Sequence, residues 1–100
     1  MRESKIEAKV REYAEDKGVW FRKFTTPGRA FAPDRMLVAP KGTIMMLEFK
    51  APGKKPTDAQ FRELHRWNQR HIMAEWVDSV ARGREMVDWL LKEDAHVRKI

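Results

Sequence analysis

The run "TIMMLEFK" (43–50) most constrains how this chain folds. Ile44, Met45, Met46, Leu47 and Phe49 make it almost wholly apolar, the composition of a buried strand. Yet it closes on Glu48 and Lys50. Side chains alternate along a strand, so Glu48 and Lys50 project to one side and Phe49 to the other. A carboxylate and an amine therefore stand together at the boundary of a core. The preceding run "DRMLVA" (34–39), the turn "PKG" (40–42) and this strand read as a hairpin. That pairing sets Asp34 across from the Glu48–Lys50 end.

The flanking sequence supplies the remaining elements. "SKIEAKVREYAEDK" (4–17) has Ile6, Val10, Tyr13 and Ala14 at helical spacing, with Gly18 as its stop. Ser4 and Glu7 fit a capping box at its start. "VWFRKF" (19–24) has strand composition, and "TTPGRAFAP" (25–33) reads as a loop. "APGKKP" (51–56) is irregular. Thr57 opens a helix over "TDAQFRELHRWNQRH", "IMAEWV" (72–77) is a fourth strand, and a last helix begins near Asp78. Val80, Met86, Val87, Leu90 and Leu91 form its inner side, with Gly83 a weak point. The tail "RKI" reads as frayed. The order α-β-β-β-α-β-α describes one α/β domain over 1–100, a mixed β-sheet flanked by helices.

Charge narrows the functional classes. The 100 residues carry 21 Lys and Arg against 15 Asp and Glu, a formal net charge of +6. Such an excess suits a polyanionic partner, and equally a merely soluble surface. There is no cysteine, which excludes disulfides, zinc–thiolate sites and thiol nucleophiles. No apolar run approaches the ~20 residues of a membrane span, and "MRESKIEAKV" lacks the apolar core of a signal peptide, so a cytoplasmic protein is expected.

Two converging carboxylates repel one another unless a cation or proton lies between them. Oxygen donors suit a hard ion such as Mg²⁺ or Mn²⁺. An ammonium beside that ion can hold a water or an anionic oxygen, so Asp34, Glu48 and Lys50 together suit phosphodiester hydrolysis. The plainer alternative is a solvent-facing strand end beside a loop acid. The lysine-rich "APGKKPTDAQ" that follows, leading into a helix N-terminus that favours anions, tips the balance towards function.

"ESKIE" (3–7), "PD" (33–34), "EFK" (48–50) and "APGKKPTDAQ" (51–60), in this order, resemble the VRR-NUC family. These are virus-type replication-repair nucleases of the PD-(D/E)XK superfamily. The resemblance spans nearly the whole chain and is most specific over "EFKAPGKKPTDAQ". It implies a restriction-endonuclease-like fold and a metal-dependent DNA endonuclease, similar to Holliday-junction resolvases and acting as a homodimer on DNA, including branched DNA, in replication and repair. It further implies Glu7, Asp34 and Glu48 as metal ligands, with the Phe49 backbone carbonyl as another, Lys50 as the catalytic lysine, and Gln60 as a site glutamine. Two departures stand out. The glycine usual shortly before the Pro-Asp is replaced in "RAFAPD", with Gly28 the nearest substitute. "QRHIM" has no glycine between the long helix and the fourth strand.

Several residues support two readings each. Glu7 is either a metal-site acid, with Glu3 as the alternative, or half of a capping box. Gln60 likewise belongs to a second capping box with Thr57. Arg62, Arg66 and Arg70 form a helical stripe that either meets phosphates or pairs with Glu63. Lys54 and Lys55 are the stronger phosphate contacts. His65, His71 and His96 lack ligand spacing and read as partly buried. Trp67, Trp76 and Trp89 read as core or dimer-interface aromatics. A catalytically silent DNA-binding module of the same fold is the alternative function. A metal-free RNA- or protein-binding adaptor is a third, which leaves the converging acids unexplained.

Overall fold

A computed structural model describes residues 1–28 and 31–98. Its elements are α1 (Glu3–Asp16), β1 (Trp20–Lys23), β2 (Arg35–Val38), β3 (Ile44–Phe49), α2 (Asp58–Gln69), β4 (Met73–Val77) and α3 (Val80–Asp94). The expected order holds. The sheet runs β1-β2-β3-β4; β1–β2 and β2–β3 pair antiparallel, and β3–β4 pair parallel. The α2 crossover makes that parallel pairing sterically feasible. Arg29 and Ala30 of the expected 25–33 loop, and Lys99 and Ile100 of the expected frayed tail, lie outside the described residues.

The period-2 alternation of β3 divides its side chains between two cores. Met45, Leu47 and Phe49 join Ile6, Val10 and Ala14 of α1 and Met86, Val87 and Leu90 of α3. Met46 instead packs with Leu64, Ala74, Trp67 and Trp76 on the α2 side. Helices thus cover both faces, and β3 is buried as its composition requires. Glu48 and Lys50 share the parity of Met46, so they face the α2 side at the strand's end.

Local details differ from the sequence reading where tertiary contacts compete. α1 starts one residue earlier than expected, with Arg2 as its N-cap and no side-chain cap. The Ser4–Glu7 capping box therefore does not form; Ser4 lies inside the first turn and Glu7 is drawn to Arg35. The Thr57–Gln60 box does form, because Thr57 retains the extended conformation a cap needs. Gly83 is not a weak point. α1 approaches α3 there so closely that a Cβ on Gly83 would collide with Val10 Cγ2. His65, His71 and His96 are exposed rather than partly buried. His71 has φ 63° and takes the left-handed position that ends α2. His71 N–H donates to Asn68 O at 3.0 Å and Ile72 N–H to Trp67 O at 3.1 Å. Gly18 closes α1 with the same pair of bonds, Gly18 N–H to Glu15 O and Val19 N–H to Ala14 O. A histidine thus occupies the backbone conformation at the turn where "QRHIM" lacks a glycine.

The β2–β3 turn is clamped from afar. Asp94, 4% exposed at the end of α3, accepts from Lys41 N–H (2.9 Å), Thr43 N–H (3.1 Å) and Thr43 Oγ1–H (2.7 Å). This clamp sets the hairpin that carries Asp34 and Glu48.

Candidate active site

The β2–β3 register places Arg35 opposite Leu47, so Asp34, one residue back, falls beside Glu48. Asp34 is anchored through its backbone. Its carbonyl accepts from Phe24 N–H at 2.8 Å and from Arg35 Nη1–H at 2.9 Å, and the adjoining Pro33 is buried. Its carboxyl is thereby held next to Glu48. Glu48 is 4% exposed. Burial, then the charge of Asp34 and a side-chain hydrogen bond with it, push the Glu48 carboxyl up to about 8, against the opposing pull of Lys50. A carboxyl raised this far favours its protonated form near neutral pH, with Asp34 as its hydrogen-bond partner.

Lys50 Nζ lies 3.7 Å from Glu48 Oε2. The strand pairing continues through it, with Lys50 N–H donating to Val77 O at 2.9 Å. Phe49, between the two, is locked in the α1–α3 core and packs against Phe21 with ring centroids 5.9 Å apart. This anchor holds Glu48 and Lys50 on their common side. The structure thus brings Asp34, Glu48 and Lys50 together.

The helical acids sort differently. Glu7 pairs with Arg35 Nε at 2.7 Å, both side chains about four-fifths buried. Glu3, one turn earlier, is the acid that couples to the cluster. Its carboxyl is raised by partial burial and then by Asp34, with Lys50 opposing, and it in turn raises Glu48. Among the described residues, no three His, Asp or Glu side chains are gathered closely enough to form a metal cage by themselves. The donors at hand are the Asp34 and Glu48 carboxylates and the backbone at Phe49. This set fits a hard divalent cation that keeps most of its positions for water or phosphate. A cation held by the two acids would displace the Glu48 proton and offset both the burial and the Asp34 charge that raise it.

The other expected residues are placed as follows. Gln60 Oε1 accepts from Thr57 N–H at 2.9 Å in the capping box, and its side chain makes no hydrogen bond to Asp34, Glu48 or Lys50 among the described residues. Lys54 and Lys55 are exposed on a loop tethered by Gly53 N–H to Asp78 Oδ2 at 3.3 Å. That tether holds the loop at the end of β4, beside Lys50. Arg62 is exposed, while Arg66 pairs with the buried Glu63 at 3.2 Å. Trp67 packs edge-on against Phe24 and Trp76 against Phe61, both within the α2-side core; Trp89 is 38% exposed. Trp20, on the edge strand β1, is 61% exposed. Sequence reasoning missed Arg35, which joins α1 to the backbone of Asp34. Its only local signal is its position directly after Asp34.

No protein-family model matches the chain. Over 63 residues, 63% of this chain and 68% of the relative, it is 43% identical to "Putative nuclease p44" of Acyrthosiphon pisum secondary endosymbiont phage 1. Its fold superposes on a solved structure described as "VRR_NUC domain" with a TM-score of 0.79 and 29% identity, covering 86% of this chain and 94% of that one. The four-stranded mixed sheet, its three helices and this relative agree, and the chain belongs to the VRR-NUC family.

Proposed function

We propose that the protein is a divalent-metal-dependent endonuclease that hydrolyses phosphodiester bonds of DNA, with Mg²⁺ or Mn²⁺ as its ion. The observation that carries this reading is the buried Glu48 beside the half-buried Asp34, with Lys50 Nζ 3.7 Å from Glu48. A nuclease-named relative and the family fold support the reaction class.

In this mechanism the Asp34 and Glu48 carboxylates would hold the cation, with the Phe49 backbone carbonyl as a further oxygen donor. When bound, the cation supplies Lewis acidity and neutralises charge on the phosphate. Lys50 orients the attacking water and stabilises the charge that develops on the phosphate oxygens. Glu48 holds the Lys50 ammonium in place, and the buried Phe49 keeps both from swinging away. Glu3, at the head of α1, is better placed than Glu7 to accept from water at this cluster. Lys54 and Lys55 contact backbone phosphates, with Arg62 and Arg66 of α2 as further contacts. Gln60 assists from the first turn of α2.

The same reading gives the enzyme a preference for branched DNA and a homodimeric state, since two symmetric cuts across a junction need two related sites. Exposed aromatic surface supports assembly: Phe61 is 41% exposed beside Trp76, and Trp89 is 38% exposed. Light scattering without DNA should give twice the chain mass of 11.9 kDa, and a monomer mass removes the dimer.

The decisive experiment incubates the purified protein with Mn²⁺ and a panel of four-way, flapped, nicked and plain duplex DNAs. Cleavage concentrated on the branched substrates is expected. Intact DNA throughout, despite measurable DNA binding, would favour the silent binding module.

A further inference from the structure

We infer that the cleft between α1 and β1 is a second phosphate site, beside the acidic cluster and distinct from Lys54 and Lys55. Ser4, Glu7 and Arg11 of α1, Lys23 at the end of β1 and Arg35 at the start of β2 enclose about 290 Å³ over Phe21. Three cations and one carboxylate meet there, an excess of two positive charges. Glu7 is taken up by Arg35 Nε at 2.7 Å, and Arg35 Nη1 donates to Asp34 O at 2.9 Å. A guanidinium has five N–H donors, so these contacts leave donors for the cleft. Lys23 forms no ion pair among the described residues, and Arg11 reaches only the exposed Glu15, at 3.8 Å. Cations gathered in a concave wall repel one another, and an anion with several oxygens answers all of them at once.

Sheet order gives the cleft its place on the substrate. The strands run β1-β2-β3-β4, with Asp34 before β2 and Glu48 and Lys50 at the end of β3. Lys54 and Lys55 follow on the β3–β4 side, where Gly53 is tied to Asp78. The Arg11–Lys23–Arg35 cleft lies on the β1 side. Lys23 also lines the neighbouring groove that contains Asp34. Basic groups therefore flank the acids on both sides along the strand ends. From β3 to β1 is two strand spacings, about 10 Å. Lys23 and Arg35 share the α1 face with Leu47, whereas Glu48 and Lys50 face α2, so a strand whose scissile phosphate sits at the acids meets the cleft with another of its phosphates by crossing the sheet's end, where Glu3 of α1 couples to the acids. That path rests on the nuclease reading, whereas the anion site itself does not.

The test uses Arg11→Ala combined with Lys23→Ala, two exposed side chains whose loss leaves both cores intact. NMR titration of the metal-free protein with inorganic phosphate should shift the amides of Ser4, Arg11 and Lys23, and the double variant should lose those shifts. No response at these amides overturns the site, whatever the nuclease assays give. In DNA-binding titrations over a salt series, the double variant should flatten the slope of log K against log salt by about 2 units. Phosphate shifts with an unchanged slope would mean adventitious anion binding and also overturn the proposal. Equal weakening on 5′-phosphorylated and 5′-hydroxyl strands identifies an internal phosphodiester as the occupant, and weakening only on the phosphorylated strand identifies a terminal phosphate. Mn²⁺ titration of the double variant should match wild type. If wild-type protein neither binds Mn²⁺ nor cuts DNA while the phosphate shifts persist, the nuclease reading fails and the anion site stands.

Discussion

Lys50 Nζ stands 3.7 Å from Glu48 Oε2 at the end of β3, while the neighbouring Asp34 raises the same Glu48 carboxyl. One acid is thus pulled between an ammonium and a second acid. Under the proposed function, a cation would compete with the Glu48 proton for this site. Its behaviour with pH and metal follows from that competition.

Replacing either acid should stop the chemistry without unfolding the protein. Asp34→Asn and Glu48→Gln each remove a charge and keep the volume. Cleavage with Mn²⁺ should fall by on the order of 10²–10³ or more, the scale of losing one electrostatic contact in the transition state. Calorimetric titration should show weakened Mn²⁺ binding in both variants. Near-wild-type cutting by Glu48→Gln would remove Glu48 from the site.

Metal-free stability should fall as pH rises from about 5 to 8. Glu48 is raised to about 8 in the fold, against a usual value of 4.5. Between those values the native state keeps a proton that the unfolded chain has lost, so stability declines with pH. Thermal melts of wild type and Glu48→Gln should diverge across this window, the variant showing the flatter profile. Adding Mn²⁺ at pH 7 should release protons, seen as a buffer-dependent binding enthalpy. Parallel melt profiles would contradict the burial of an ionisable Glu48.

Lys54→Ala with Lys55→Ala should weaken binding to all DNAs alike. The slope of log K against log salt should become shallower by about 1–2 units if both contact phosphates. An unchanged slope places the pair away from the nucleic acid.

Asp94→Ala should be among the more destabilising single changes. It strips an acceptor from Lys41 N–H, Thr43 N–H and Thr43 Oγ1–H at a site where the carboxylate is buried. A loss of about 2–3 kcal/mol is expected from leaving such donors unsatisfied. Burial pushes the Asp94 carboxyl up, but hydrogen bonds from Lys41 and Thr43 outweigh it and hold the group below its usual value of 3.8. A depressed carboxyl stabilises the fold above the unfolded value, and the stabilisation is lost as pH falls through the folded one. Urea titrations at pH 7 and pH 3 should therefore show a smaller gap between wild type and variant at the lower pH.

His71→Gly should stabilise the protein slightly. A left-handed residue with a Cβ costs about 1–2 kcal/mol, and glycine returns about 0.4–1 kcal/mol of that through unfolded-state entropy. The net gain is roughly 0.5–1 kcal/mol, readable as a higher urea midpoint. A lower midpoint would show that the exposed His71 side chain makes a contact worth more than its backbone strain.

What the sequence determined by itself is what local periodicity encodes. The period-2 alternation of "IMMLEFK" fixes which way Glu48 and Lys50 point, and a short turn brings Asp34 back across from them. Helix stops at Gly18 and the Thr57–Gln60 cap are equally local, and they appear as read. Tertiary structure alone decided the rest. Whether Ser4 and Glu7 cap a helix depended on Arg35, 28 positions after Glu7, which claims the carboxylate. Gly83 reads as a helix defect until Val10 is packed against it. Asp94 ends α3 and gains its hydrogen-bond partners only when the β2–β3 turn, more than 50 positions earlier, folds onto it. Arg11, Lys23 and Arg35 belong to three separate elements and meet only when β1 pairs with β2 beneath α1. Side-chain alternation and caps arise from neighbours along the backbone and repeat with its geometry. Contacts between distant segments have no period, because they exist only after the cores have closed.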